Sequence, residues 1–219
     1  MNITDYILNE MKPLSLESSV EMAIELFNNY PITHFPVIEN NKLLGSFAEQ
    51  DIRTIDENKK GLTDYKHFLN PFFTNENSNI LELIKIFADN DTNIIPVLNS
   101  KKEYIGYYDL GDVLDAFSSS PFMIEESETL IIEKLEKDYS MSEISQIIES
   151  SGGKLTGLYI SSKSDNLIQI TLKVNTQNIN DIMQTFRRYE YKIISLHEND
   201  IYLEDLKNRS DYLQKYLEM

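Results

Sequence analysis

The chain has 219 residues and an apolar content of 41%, which suits two domains of ordinary size with hydrophobic cores. Its formal net charge of −16 argues against binding to nucleic-acid phosphates, which requires clustered Lys and Arg. It contains no Cys, which excludes disulfides and thiolate metal sites and favours a reducing, cytoplasmic location. No apolar run approaches the roughly 18 residues of a membrane-spanning helix, so we expect no membrane insertion.

The first part of the chain predicts a helix, a β-hairpin and a second helix, in that order. Apolar residues recur at helical spacing over 16–30, with a serine available as the cap. The short strands 35–38 and 43–47 flank a polar turn that is typical of a hairpin. A further helix is predicted from Glu49 onward.

The same order of elements returns in the next part of the chain. The pattern predicts a helix over 79–90, strands over 94–98 and 104–108, and a closing helix over 110–117. The sequence Ser-Ser-Ser-Pro at 118–121 then interrupts the pattern and indicates a domain boundary.

These two parts are copies of one fragment. Both contain Pro-Val after an apolar residue, then a polar turn, an apolar pair with Gly, and an Asp six residues after that Gly. The matching residues are Pro36 and Pro96, which lie 60 apart, and Gly45 with Gly106 and Asp51 with Asp112, each pair 61 apart. Self-similarity at a fixed period indicates one supersecondary unit used twice. Neither copy carries a nucleophile or a metal-ligand cluster, so the repeat predicts a binding module with no catalytic residues and no metal site.

The last part of the chain has a different pattern, in which strands and helices follow the order β-α-β-β-α-β before a terminal helix. The predicted elements are a strand over 129–135, a helix over 141–150, strands over 155–161 and 167–174, a helix over 179–189, a strand over 192–197 and a helix over 203–217. This order is the split ferredoxin-like arrangement.

The repeated fragment resembles the CBS domain, named after cystathionine β-synthase, whose motif leads from a Pro-Val strand to a second strand with Gly and, six residues on, Asp. The resemblance covers residues 1–118 as one CBS pair, or Bateman module, with repeats at about 1–60 and 61–118. Residues 119–127 are then predicted to be a linker, and residues 128–219 resemble an ACT domain, a ferredoxin-like regulatory fold, with a terminal helix. The predicted fold class is α+β.

A CBS pair followed by an ACT-like domain is similar to the acetoin-utilisation regulatory proteins of bacteria. The resemblance implies a non-enzymatic regulator whose CBS cleft binds an adenosine-containing ligand. It implies ligand contacts at His34, Ala48, Asp51, Asn93, Asp109 and Asp112. The family aspartate accepts hydrogen bonds from ribose hydroxyls, and Asp51 and Asp112 match it. We place His34 and Asn93 at equivalent positions before the two Pro-Val strands, where the family contacts the base.

The sequence departs from the family motif at two of these positions. Ala48 and Asp109 stand where the family has Thr or Ser, so the first provides no hydroxyl and the second, if ionised, repels phosphate. Among AMP, ATP and S-adenosylmethionine as candidate ligands, we therefore expect a neutral or cationic adenosine compound to be preferred over ATP. The alternative is structural: Asp51 and Asp112 favour a helix N-terminal turn, and Asp109 can cap the helix after it.

Three functions remain open at this point. The first is a sensor of a small adenosine-type molecule, and the second is a ligand-free structural or protein-interaction module. The third, an enzyme, has no supporting motif. We also predict a homodimer, because twofold self-association is the commonest way to bury apolar helix and sheet faces. The loop 136–141 has no Gly and contains Tyr139, which favours a structural, dimerising ACT-like domain over one that binds an amino acid.

Overall fold

The computed structural model describes residues 3–56, 60–197 and 200–217, with the backbone alone at 204, 211 and 215–217. The chain divides into two units, residues 1–120 and residues 121–219. Each unit has its own hydrophobic core and combines helices with β-sheets.

The first repeat contains the predicted helix and hairpin. Helix α1 (Val20–Asn29) begins where the Ser19 side chain accepts a hydrogen bond from a backbone N–H of the first turn. Strands β1 (His34–Glu39) and β2 (Lys42–Ala48) pair antiparallel, and the short helix α2 (Glu49–Ile52) follows directly. The predicted hairpin is confirmed, and each strand is longer than the sequence pattern indicated.

The second repeat follows the same order with one additional strand. A two-residue strand β3 (Thr74–Asn75) pairs in parallel with β4 (Ile94–Leu98), which pairs antiparallel with β5 (Tyr104–Asp109). Helix α3 (Ile80–Asp89) precedes β4, and helix α4 (Leu110–Ser118) follows β5. The apolar face of α3, predicted from its spacing, contributes Leu83 and Phe87 to a core shared with β4 and β5.

The two repeats are joined because the opening segment of each one pairs with the hairpin of the other. Leu8, in the opening segment of the first repeat, exchanges two backbone hydrogen bonds of 2.9 Å with Tyr107 in β5. Asn70, in the opening segment of the second repeat, makes the same 2.9 Å pair with Ser46 in β2. One core combines residues of the first repeat with Ile94 and Tyr107 of the second. The two copies therefore pack against each other as a pair.

Eight elements lie in the described part of the second unit. They are α5 (Pro121–Ile124), β6 (Glu128–Leu135), α6 (Met141–Ser150), β7 (Lys154–Ser164), β8 (Leu167–Asn175), α7 (Ile179–Arg188), β9 (Lys192–Ile193) and α8 (Ile201–Leu217). The strands form one sheet in the order β7-β8-β6-β9, and every neighbouring pair is antiparallel.

Two details of this unit differ from the sequence pattern. The strand predicted over 192–197 forms a β-ladder only at Lys192–Ile193. Beyond it, the backbone N–H groups of Ile194 and Ser195 both donate to the Ile131 carbonyl of β6, so the ladder does not continue. The stretch predicted as a linker, 119–127, contains α5. Its Phe122 lies where a side chain at Gly157 would have to be, and its carbonyl accepts a 2.7 Å hydrogen bond from Lys173 Nζ.

Candidate functional site

A pocket of about 260 Å³ lies between the two repeats of the first unit. Its lining combines the start of β1, the β2–α2 junction, the segment before β3 and the end of α3. The lining residues are Thr33, His34, Ala48, Glu49, Gln50, Asp51, Asn70, Asn90 and Asp91. The volume is slightly below the roughly 300–1,000 Å³ of drug-sized ligand pockets, so it suits a molecule of nucleoside size.

Strand register brings the first of these residues together. His34 lies opposite Ala48 in the β1–β2 ladder, so the start of β1 and the end of β2 meet at the pocket. The Glu49 backbone N–H donates a 2.8 Å hydrogen bond to the Thr33 carbonyl, which fixes the first turn of α2 beside the same strand. Asp51, in the single turn of α2, then lines the pocket.

Carboxylates give the pocket its charge. Glu49 is paired with Arg53, whose Nε donates a 2.8 Å hydrogen bond to it. Among the described residues, neither Asp51 nor Asp91 has a side-chain hydrogen-bond partner. Asp91 has a left-handed backbone conformation, with φ of 47°, directly after α3. The lining contains no Lys or Arg, so its net charge is negative.

His34 is the most buried polar side chain of the pocket, with 7% of its surface exposed. Its Nδ1 lies 3.0 Å from Thr33 Oγ1, and its ring packs edge-on against Phe72 at a centroid distance of 5.2 Å. Burial lowers the pKa of His34, and the nearby Asp51 and Asp91 carboxylates oppose this shift without cancelling it. The lowered pKa favours the neutral form of the ring.

Asn93 joins the two repeats. Its Oδ1 accepts a 2.8 Å hydrogen bond from the Thr33 backbone N–H, and its Nδ2 donates one of 2.8 Å to the Pro31 carbonyl. In return the Asn93 backbone N–H donates to Thr33 Oγ1 at 3.0 Å. The expected equivalence of His34 and Asn93 is wrong by one residue: His34 lies opposite Ala48 and Ile94 lies opposite Asp109, so Asn93 corresponds to Thr33.

Asp109 and Asp112 lie together at the start of α4, outside the pocket. Asp109 Oδ1 accepts hydrogen bonds from the backbone N–H groups of Gly111, at 2.7 Å, and of Asp112, at 3.3 Å. The helix-capping role expected for Asp109 as the alternative is thus confirmed. Burial raises the pKa of Asp112, and the negative charges of Asp109, Asp115 and Glu10 raise it further.

Of the six positions expected from the sequence, the structure brings three into the pocket: His34, Ala48 and Asp51. Asn93 touches the pocket wall only through Thr33, and Asp109 and Asp112 lie in the equivalent region of the other repeat. Sequence reasoning missed Asn90 and Asp91, because nothing in the motif of one copy indicates that the end of the other copy's helix lies against it.

Two general features of the described chain bear on the kind of site. No group of three or more His, Asp or Glu side chains is placed to hold a metal ion in the part that the structure describes. No helix among the described residues is long and apolar enough to cross a membrane.

Comparison with known proteins gives distant relatives. An uncharacterized protein from Methanocaldococcus jannaschii is 24% identical over 114 residues, which are 52% of this chain and 43% of the relative. This chain therefore matches less than half of that relative's length. A CBS domain pair/ACT domain protein from Thermotoga maritima is 17% identical over 53% of this chain and 96% of its own, with a TM-score of 0.47. CBSX2, solved in complex with AMP, is 21% identical over 53% of this chain and 95% of its own, with a TM-score of 0.46.

A family model matches the repeat itself. The model for the CBS domain matches residues 3–58 and 66–119, one match on each copy and about half of the chain in all. These matches coincide with the two hairpins and their helices in the first unit, which has the mixed α+β fold of a CBS pair. The chain belongs to the CBS domain family.

Proposed function

We propose that the chain is a non-enzymatic regulatory module whose CBS pair senses an adenosine-containing small molecule in the pocket between its repeats. CBS pairs often bind adenosine compounds in this cleft. The observation that carries the proposal is the pocket itself, because its wall is built from both repeats: His34 and Asp51 come from the first, and Asn90 and Asp91 from the second. A ligand held by both walls would fix the orientation of the repeats.

The site has the chemistry to hold a ribose. A carboxylate without a protein partner accepts hydrogen bonds from two vicinal hydroxyls, and Asp51 is such a carboxylate among the described residues. Ala48 offers no hydroxyl for phosphate and no side chain that would fill the space beside Asp51. These features favour a nucleoside over a nucleotide.

The test is isothermal titration of adenosine into the full chain and two matched variants. Asp51→Ala removes the motif aspartate of the first repeat, which lines the pocket, whereas Asp112→Ala removes the corresponding aspartate of the second repeat, which lies outside the pocket. We expect adenosine binding to weaken roughly tenfold or more in Asp51→Ala, since a hydrogen bond to a charged group is lost, and to persist in Asp112→Ala. Failure of the unmodified chain to bind adenosine, AMP, ATP and S-adenosylmethionine would overturn the proposal.

The second candidate function is a ligand-free structural or interaction module. The observation in its favour is that Asn93, a position expected to contact ligand, uses both polar atoms of its amide to hold the other repeat. A chain that binds none of the adenosine compounds but loses stability in Asn93→Ala would support this alternative.

For the second unit we propose an ACT-type regulatory domain of ferredoxin-like topology. The support is its β-α-β-β-α-β order and its fully antiparallel four-stranded sheet, with β6 and β8 in the centre. With the CBS pair, this arrangement would make the chain similar to the acetoin-utilisation regulatory proteins. A homodimer and a cytoplasmic location remain predictions of the sequence.

A further inference from the structure

Strand register shows which residues of the two repeats correspond. Ser46 lies opposite Pro36 in the first hairpin, and Tyr107 lies opposite Pro96 in the second. Each of them is also the residue that exchanges backbone hydrogen bonds with the opening segment of the other repeat. The same position therefore carries a small side chain in the first repeat and a large aromatic side chain in the second.

The wall of the pocket has counterparts in the second repeat, and two of its amides are absent there. Asn70 corresponds to Leu8, because the two residues make the same backbone pair with the strand that they cross. Asn90 corresponds to Tyr30, because these residues end α3 and α1. We call the region that corresponds to the pocket the second cleft. By this correspondence its wall includes Leu8, Tyr30, Ile94, Asp109 and Asp112.

The Tyr107 side chain lies in the second cleft. Only 6% of it is exposed, and the core cluster to which it belongs consists mainly of first-repeat residues, so its ring packs between the repeats. Burial raises the pKa of its phenol, and the charges of Glu10, Asp109 and Asp112 raise it further, as does Tyr30. Because such an effect falls with distance, the hydroxyl end of Tyr107 lies near these wall residues.

A ring at this place takes the space of a ligand ring. Side chains in protein interiors are packed as densely as organic crystals, so a buried tyrosine ring and a purine cannot share one volume. In the first repeat the corresponding Ser46 is fully buried and is not part of the pocket wall. A volume of about 260 Å³ stays open there, beside its backbone partner Asn70. One cleft therefore holds an open volume, and the other holds a side chain of the protein itself.

We propose that Tyr107 occupies the second cleft in place of a ligand and restricts the CBS pair to one ligand site, the pocket beside His34 and Asp51. The inference rests on the proposed function, since it takes an adenosine compound as the ligand. It extends that function by assigning Tyr107 as the residue that decides which of the two clefts is open. Removal of the ring should make Asp112 accessible to a second ligand.

The test counts the adenosine molecules bound per full chain by isothermal titration. We expect the unmodified chain to bind one. Tyr107→Ser gives the second repeat the residue that the first has at this position, and we expect two, the second bound more weakly because Leu8 and Tyr30 provide no amide. Tyr107→Leu keeps an apolar contact with the core and vacates the hydroxyl end, so it carries the same expectation if the serine variant does not fold.

Matched variants assign the additional site. Tyr108→Phe changes the neighbouring tyrosine, which lies in the core of the second repeat, to the residue that the first repeat has there, and it should keep one site. In the Tyr107→Ser background, Asp112→Ala should return the count to one. In the same background, Asp51→Ala should leave only the weaker site.

Each outcome decides between the claims. An unmodified chain that binds two adenosines, folded Tyr107 variants that still bind one, or a second site that survives Asp112→Ala would each overturn the inference and leave the proposed function standing. If adenosine binds to Tyr107→Ser and not to the unmodified chain, the inference holds and the proposed function of the pocket fails. If neither chain binds adenosine, AMP, ATP or S-adenosylmethionine, both fail.

Discussion

At the scale of single residues, the aspartates of the two motifs have different surroundings. Asp51 lines the pocket, where its carboxylate has no hydrogen-bond partner among the described residues. Asp112 lies beside the capping carboxylate of Asp109, with Asp115 and Glu10 nearby. One sequence motif therefore produces an open acceptor in the first repeat and a crowded acidic cluster in the second.

The acidic cluster predicts a pH dependence of stability. The pKa of Asp112 is raised by burial and by neighbouring carboxylates, so folding favours its protonated form. The stability that this protonated carboxyl contributes is fully present below the ordinary aspartate pKa, about 4. It is lost as pH rises through the higher pKa of the folded state. We expect Asp112→Asn to match the unmodified chain at low pH and to be more stable at pH 7, as measured by urea unfolding across this range. An Asp112→Asn chain that is less stable at pH 7 would contradict this.

At the scale of elements, the glycine of each motif has a structural reason. Gly45 and Gly106 have φ of 147° and 149°, a conformation that side chains rarely adopt. A Cβ at Gly45 would lie 3.0 Å from the Asn70 carbonyl oxygen, and one at Gly106 would overlap the Leu8 carbonyl oxygen. The lack of a side chain at Gly45 lets the Asn70 segment cross β2, and the lack of one at Gly106 lets the Leu8 segment cross β5. These two crossings are the contacts that join the repeats.

Substitution of these glycines should destabilise the first unit in a defined order. We expect Gly106→Ala to cost roughly 2 kcal/mol or more of unfolding free energy, because strain and overlap with backbone act together. Gly45→Ala should lower the unfolding free energy by less, since a shift of its neighbours by a few tenths of an ångström relieves the contact. Gly61→Ala is the control, because its nearest contact is at 3.7 Å and its φ of −74° suits alanine. Chemical denaturation of the three variants measures the order, and equal costs for all three would contradict it.

The sequence predicts elements well and their contacts poorly. Alternation and turn residues locate both hairpins, and the turn at Asn40 and Asn41, with φ of 51° and 63°, is of the kind that asparagine favours. The strand after α7 is shorter than its apolar pattern indicates, since its ladder with β6 covers only two residues. Asp91 could not be assigned to the pocket from the sequence, since its place there depends on how the two repeats pack.

At the scale of the whole molecule, the described side chains of α8 are left uncovered. Its start is held by Arg187, which pairs with the buried Asp200 and stacks on Tyr202 at 4.5 Å. Burial alone would raise the pKa of Asp200, but the hydrogen bond and charge of Arg187 outweigh it and hold the pKa below its ordinary value. Every described side chain of α8 is exposed, including Leu206 and Leu213 at 44% and 59%.

This exposure supports the predicted homodimer. Helices in proteins owe most of their stability to the packing of an apolar face, and leucines seven residues apart form one apolar stripe along a helix. A second copy that covers α8 would bury the stripe of both helices in a twofold contact.

We expect light scattering to give a dimer for the unmodified chain and for Asn208→Lys, a control on the same helix. Leu213→Lys adds the same charge within the stripe and should shift the chain toward monomer at the same concentration. A monomeric unmodified chain at high micromolar concentration would contradict the dimer, whereas a dimer that persists in Leu213→Lys would show that α8 is not its contact.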